Sequence, residues 1–354
     1  MRMLMAMMAA VFLAIFSDEP AAMAAAPAIQ VWFSPGAQTP DLLDMFRQPE
    51  LWSKARSQIS VLKFGPAQFG GAKVQLAAAH ALGINTIADL SKVNAFQLLR
   101  SWNISLALEA PAIKPWDCTG RAAAKYTLQL IENARAAGGI VRYASMDEPL
   151  ASGMRFCGDT LETAAAKTAA YIKQLKASDP ALEVGDIEAY PWDHPVQLEQ
   201  WLIALTRNGA KPAHFHLDVN VHFLDVHPEV DAAGDLRSLK AFAAAQGIPF
   251  GIIFWSGYNP EPTDQAYFDR TMAWVRRVHA AIGAPEQAIF QSWVVRSYPG
   301  CADTDPRCFP PKLKCPPSDT SGCGLGTVPV NLPEGDPKVF SHTRLVNEAL
   351  GVLR

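Results

Sequence analysis

The stretch Ile140–Leu150, IVRYASMDEPL, opens as an apolar, β-branched run after the Gly138-Gly139 break and closes on two acids and a proline. A buried parallel strand reads this way when it delivers carboxylates to the rim of a barrel. Pro149 lacks the N–H that a sheet ladder uses, so it ends the strand just past Glu148. Taken alone, the same residues also fit a polar strand-to-loop turn that happens to be acidic. The segments on either side decide between the two.

Three similar runs precede it. IQVWF at Ile29–Phe33 ends at Ser34-Pro35-Gly36, ISVLKF at Ile59–Phe64 closes on Gly65-Pro66, and ISLALEA at Ile104–Ala110 is stopped by Pro111. Four follow: EVGDIEA at Glu183–Ala189, AHFHLDV at Ala213–Val219, FGIIFW at Phe250–Trp255 and AIFQSWVV at Ala288–Val295. Helical stretches lie between them. These are Asp41–Arg56 (broken or restarted at Pro49), an Ala/Leu-rich region from about Ala72 to Arg100 with interruptions, Arg121–Ala137, Leu161–Ala177, Pro195–Asn208, Asp231–Gln246 and Asp264–Ile282, with a last one at Ser341–Leu353. Alternation of this kind implies a parallel sheet, and eight such units imply closure into a (β/α)8 TIM barrel, an α/β fold. The alternative is an open doubly wound sheet. No glycine-rich G-x-G-x-x-G turn follows the first strand and no P-loop occurs, which weighs against it.

A chain of 354 residues, 49% hydrophobic and 18% charged, can build a sizeable core and does not read as disordered. The net charge of −3, without a basic cluster, gives no case for a nucleic-acid partner or an anionic membrane surface. At the N-terminus, Arg2 precedes an apolar run from Met3 to Phe16, with small residues at Ala22-Met23-Ala24. That is the layout of a signal peptide cleaved after Ala24. The apolar run is short for a membrane span and has no successor, so a retained anchor is the lesser alternative. Residues 1–24 are therefore read as a signal peptide and 25–354 as one barrel domain, a monomer, secreted or periplasmic, without stable membrane insertion.

All six cysteines lie beyond the signal segment, and an even count in an exported chain favours disulfides. Cys118 and Cys157 follow neighbouring strands and are expected to pair. Cys301, Cys308, Cys315 and Cys323 crowd a Pro/Gly-rich insertion at 299–335, where two internal bridges are expected. Zinc is the rival reading, but the short Cys-x-x-Cys knuckles of structural zinc sites are missing.

A barrel carries its site at the carboxyl ends of its strands. There the sequence places Lys63, Glu109, Asp147 and Glu148, then Asp186, Glu188, Tyr190 and Trp192. His216, Asp218 and Asn220 end the sixth strand, Trp255, Ser256 and Tyr258 the seventh, and Trp293 and Arg296 the eighth. Singly, Trp255 and Trp293 read as barrel core, His216 as a satisfied core histidine, and Asp186 as an orienting group. Acids on four successive strand ends are harder to dismiss, because each unpaired buried carboxylate costs about several kcal/mol. Two carboxyl groups beside aromatic faces suit glycoside hydrolysis, with one protonated to assist the leaving oxygen and one ionised as nucleophile or base. Flat rings suit the apolar faces of sugars. No two histidines flank an acid at ligand spacing, and no G-x-S-x-G elbow occurs, so neither a metal site nor an esterase is expected. No cofactor is called for.

The Asp147-Glu148-Pro149 ending is similar to the Asn-Glu-Pro of the retaining (β/α)8 glycoside hydrolases, the cellulase- and xylanase-like clan. The resemblance implies a carbohydrate substrate and makes Glu148 the acid/base. That clan carries its nucleophile as a glutamate ending strand seven, whereas Phe254-Trp255-Ser256-Gly257 offers none, and Glu261 lies further into the loop. The second carboxylate is therefore sought elsewhere. Asp186-Ile187-Glu188 looks like the Asp-x-Glu strand ends of chitinase-like and lysozyme-like barrel hydrolases, on a different strand. Glu188 is the first choice and Asp218 the second. The expectation is an exported glycoside hydrolase; the alternative is a non-catalytic glycan-binding or surface protein on the same scaffold.

Overall fold

A computed structural model describes residues 29–37, 39–70, 84–258, 261, 263–292 and 329–354. Its eight strands are β1 (Gln30–Ser34), β2 (Val61–Phe64), β3 (Ser105–Ala110), β4 (Val141–Asp147), β5 (Glu183–Tyr190), β6 (Phe215–Val219), β7 (Phe250–Phe254) and β8 (Gln287–Gln291). All neighbours are parallel and the order closes on itself. Closure is made by β1 and β8, whose register runs from Gln30 opposite Gln287 to Ser34 opposite Gln291. Strands buried on both faces need nearly continuous apolar runs, and FGIIF in β7 is the plainest case. Helices fill the outer layer, among them Arg121–Ala136, Leu161–Ser178, Pro195–Arg207, Ala232–Ala245 and Asp264–Ile282.

Of the expected stretch Ala72–Arg100, residues 72–83 lie outside the described residues and the rest divides into helices Ile87–Lys92 and Ala95–Ser101. From Arg121 onward the expected helix ends hold to within a residue or two, and side chains cap several of them. Asp231 accepts from Gly234 N, and Ser341 accepts from Arg344 N. The expected helix Asp41–Arg56 divides into Asp44–Arg47, a 3-10 turn at Pro49–Trp52, and Ser53–Gln58. Two short helices at the rim escape the sequence pattern: Pro149–Phe156 after β4 and Val221–Val226 after β6. Pro149 does stop the strand, but it does so as the first residue of a helix, where its missing N–H costs nothing.

Side chains alternate between lumen and helix layer along each strand. In the lower lumen, Trp32, Tyr143, His214 and His216 pack ring on ring, with the two histidines stacked at 4.3 Å. Two glycines make room for them: a Cβ on Gly185 would meet the His214 ring at 2.1 Å, and one on Gly251 would meet His216 at 2.5 Å. Burial lowers the pKa of both histidines, that of His214 to about 3. Ser145 and His214 share a 2.8 Å hydrogen bond, and His216 and Gln287 one of 2.6 Å. This layer is a closed core.

Among the described residues, no helix is long and apolar enough to cross a membrane. The signal segment 1–24 and the cysteines at 301, 308, 315 and 323 lie outside the described residues. The end of the expected insertion is described, and it is anchored on the barrel: Asp41 accepts from the backbone of Asn331 and Leu332, and Glu334 from Lys54 N and Ala55 N.

Candidate active site

Glu148 ends β4 in a left-handed conformation, φ 47° and ψ 55°, and is the N-cap residue of the helix Pro149–Phe156. A non-glycine residue in this region is strained and persists only where its surroundings fix it. Here they do so from both sides of the peptide. Glu148 N donates to Ile187 O at 3.0 Å, and Glu148 O accepts from Ser152 N at 3.0 Å. The carboxyl is largely buried, and its pKa is pushed up to about 8. Burial is the main cause, the charges of Asp147, Asp218 and Asp193 add to it, and Lys114 opposes it.

Asp218 leaves β6 on the lumen side, and its Oδ1 accepts from Trp255 Nε1 at 2.9 Å. Burial raises its pKa to about 6, against the Trp255 hydrogen bond and Lys63; Glu109 and Asp147 add to the rise. Lys63 reaches up from β2, fully buried, to pair with Glu109 and to donate to Gln291 Oε1 at 2.6 Å. Asp147 pairs with Lys114 from the loop after β3. Glu109, Asp147, Glu148, Asp218, Lys63 and Trp255 therefore gather at one end of the barrel.

Asp186 and Glu188 occupy the opposite face of the sheet. Asp186 Oδ2 accepts from Trp201 Nε1 at 2.7 Å, and Trp201 belongs to the outer helix Pro195–Arg207. Glu188 Oε1 accepts from Leu150 N at 2.8 Å. Both acids are fully buried, and both carboxyls are raised by burial, that of Asp186 to about 8. The sequence correctly puts them on one face of β5, but that face looks toward the helices. Tyr190 shares it, and its hydroxyl donates to Asp235 of the helix Ala232–Ala245 at 2.6 Å.

The remaining expected residues divide. Trp192 stands out into solvent at 48% exposure, with Phe223 at 5.1 Å and the Arg155 guanidinium over its ring. His216 lies two residues before Asp218, about 6–7 Å deeper along the strand, in the closed core layer. Asn220 Oδ1 caps the helix Val221–Val226 by accepting from Phe223 N at 2.9 Å. Tyr258 donates to Asp225 Oδ2 at 2.9 Å and lies under Arg270, while Ser256 bonds back to the Tyr258 backbone. Glu261 is buried in an ion pair with Arg270. Trp293 and Arg296 lie outside the described residues.

Three residues that sequence reasoning passed over belong to the site. Asp193, next to Trp192, is buried beside Arg155 and adds to the field on Glu148. Lys114 and Gln291 hold Asp147 and Lys63. Asp193 had a signal in Tyr190-Pro-Trp-Asp193, an acid directly after a strand end. Lys114 had none beyond its place in a loop. The expected Cys118–Cys157 bridge is present, joining the β3 loop to the helix that begins at Glu148.

No family model matches the sequence, and no curated protein matches it. Among solved structures the chain is similar to a GH10 protein from Paenibacillus barcinonensis, with a TM-score of 0.51, 10% identity, and 93% of this chain and 96% of that one covered. The fold is the (β/α)8 barrel. This TIM barrel is also similar to a GH39 β-xylosidase from Caulobacter crescentus, at a TM-score of 0.49 and 16% identity over 91% and 72% of the two chains. A Thermobacillus composti GH10 xylanase gives 0.45 and 11% over 91% and 97%. At such identities the likeness is one of fold.

Proposed function

We propose that this chain is an exported glycoside hydrolase acting as a monomer, in which Glu148 is the general acid and Asp218 the anionic partner. One observation carries the reading: two carboxyls at one barrel rim are driven to different protonation, Glu148 to about 8 and Asp218 to about 6. Environments that separate two carboxyls in this way assign acid and base. At neutral pH Glu148 holds its proton and can pass it to the glycosidic oxygen as the carbon–oxygen bond breaks. Asp218 is then largely ionised and can take a proton from water or attack the anomeric carbon itself.

Asp218 replaces Glu188 as first choice because of direction. Glu188 is turned from the lumen and spends one oxygen on Leu150 N, so a substrate at the rim cannot reach it. Trp192, exposed after β5, suits the apolar face of a sugar ring, while Trp255 is buried and holds Asp218 through its Nε1. Arg2, the apolar run to Phe16 and the Cys118–Cys157 bridge support export.

The test is product analysis with purified protein on a panel of polysaccharides and aryl glycosides. New reducing ends that disappear in Glu148→Gln support the reading. Binding without turnover across the whole panel overturns it and leaves a glycan-binding protein on the same scaffold.

A further inference from the structure

The loop from Pro111 to Gly120 leaves β3 beside Glu148 and is pinned along its length. Lys114 and Asp117 form a two-residue bridge, in which Asp117 N donates to Lys114 O at 2.8 Å. The Asp117 carboxylate accepts from Thr119 N at 3.1 Å and from Ala123 N at 2.8 Å, fixing the loop to the start of the helix Arg121–Ala136. Cys118 is bonded to Cys157, with Cα atoms 5.5 Å apart. Cys157 is the C-cap residue of the same short helix whose N-cap is Glu148. Loop and acid thus belong to one cross-linked unit, and Lys114 sits in it with its ammonium on Asp147.

Building on the reading of Glu148 as the acid, we propose that Lys114 is its positioning residue, held on Asp147 by the Cys118–Cys157 bridge, so that the site is complete only in the oxidised chain. The charges around Glu148 show why it is needed. Asp147 comes from β4, Glu188 and Asp193 from β5 and its loop, and Asp218 from β6; all are acids. Arg155, on the helix that follows Glu148, is engaged by Asp193. Against these acids, Lys114 favours the ionised form of Glu148. A general acid works best when its pKa lies near the operating pH, since one that holds its proton too tightly gives it up poorly. Removing Lys114 would leave Asp147 uncompensated next to Glu148, and both changes push the same way. The bridge matters because Trp116 on Tyr126, Thr127 on Pro111 O and the Asp117 contacts hold the loop to the helix Arg121–Ala136, whereas the Cys118–Cys157 bond ties it to the Glu148 helix.

The test reads Glu148 directly and needs no substrate, so it can fail while the hydrolase reading stands. Full-length protein carrying 13C-labelled glutamate is titrated by NMR, with the Glu148 carboxyl resonance assigned by its loss in Glu148→Gln. Lys114→Met, and Lys114→Gln as a second neutral variant, should titrate about one unit above the parent, the size expected from losing one adjacent opposite charge. Lys114→Arg should titrate with the parent. The Cys118→Ser/Cys157→Ser double variant should move in the same direction while its circular dichroism stays that of the parent. Neutral Lys114 variants that titrate with the parent, or below it, overturn the role of Lys114. A double variant that titrates with the parent overturns the role of the bridge.

Discussion

Glu148 and Asp218 stand at the same rim with β5 between their strands, near enough for the charge of Asp218 to help hold the proton on Glu148. Their different protonation has a direct kinetic consequence. Activity should need Asp218 ionised and Glu148 protonated, which gives a bell-shaped pH dependence of kcat/KM. The limbs should fall near the two carboxyls' values of about 6 and about 8, with the optimum between them. The limbs belong to the pair, so Asp218→Asn should lower kcat by about 10²–10⁴-fold and remove the acidic limb. A profile flat from pH 5 to pH 9 would contradict the pairing.

Stereochemistry offers a separate check. Two strand spacings of about 4.8 Å separate β4 from β6, which leaves space for a water between the acids, as inverting enzymes require at about 6.5–9.5 Å. Proton NMR of the first product formed should therefore show the anomer opposite to the substrate. Retention would make Asp218 a nucleophile rather than a base.

Glu188 should behave as a structural acceptor. Pro149 has no N–H, so Leu150 supplies the first free donor of the helix that starts at Glu148, and Glu188 receives it. Glu188→Gln keeps an oxygen for that bond and should retain most activity. Glu188→Leu removes it, and should lower stability by about 1–2 kcal/mol, as loss of a helix cap does, with a fall in kcat as Glu148 loosens. A thousand-fold loss in a well-folded Glu188→Gln protein would return Glu188 to the reaction.

Asp186 should make the fold sensitive to alkali. Its carboxyl is raised from 3.8 to about 8, so the native state holds a proton that the unfolded chain has released. The stability this contributes is complete below pH 4 and is lost as pH rises through about 8. Asp186→Asn still offers an oxygen to Trp201 and cannot ionise. Its Tm should match the parent at pH 4 and exceed it at pH 9; equal values at both would sink the assignment.

The barrel was legible because the burial that stabilises a parallel sheet also writes itself into the chain, as eight apolar runs, most of them ended by Pro, Gly or acids. Rim position was equally legible, since a strand end is a sequence feature: Glu109, Asp147 and Asp218 all reach the site. Facing was harder. Period-two alternation shows that Asp186 and Glu188 share a side, yet β5 is buried on both, so no polarity difference tells lumen from helix layer. Lys114 was invisible for another reason. It reaches Asp147 from a loop whose course is set by a disulfide and by Asp117, and neither leaves a periodic trace.

Proton donation by Glu148 is the step on which the proposed hydrolysis depends. It is tested most directly by the kcat of Glu148→Gln against the parent on two substrates of one sugar, an unactivated glycan and an aryl glycoside with a very good leaving group. Glu148→Gln should lose about 10²–10⁴-fold on the glycan and much less on the aryl glycoside, whose departure needs little protonation. Full activity of the variant on the unactivated glycan would contradict it.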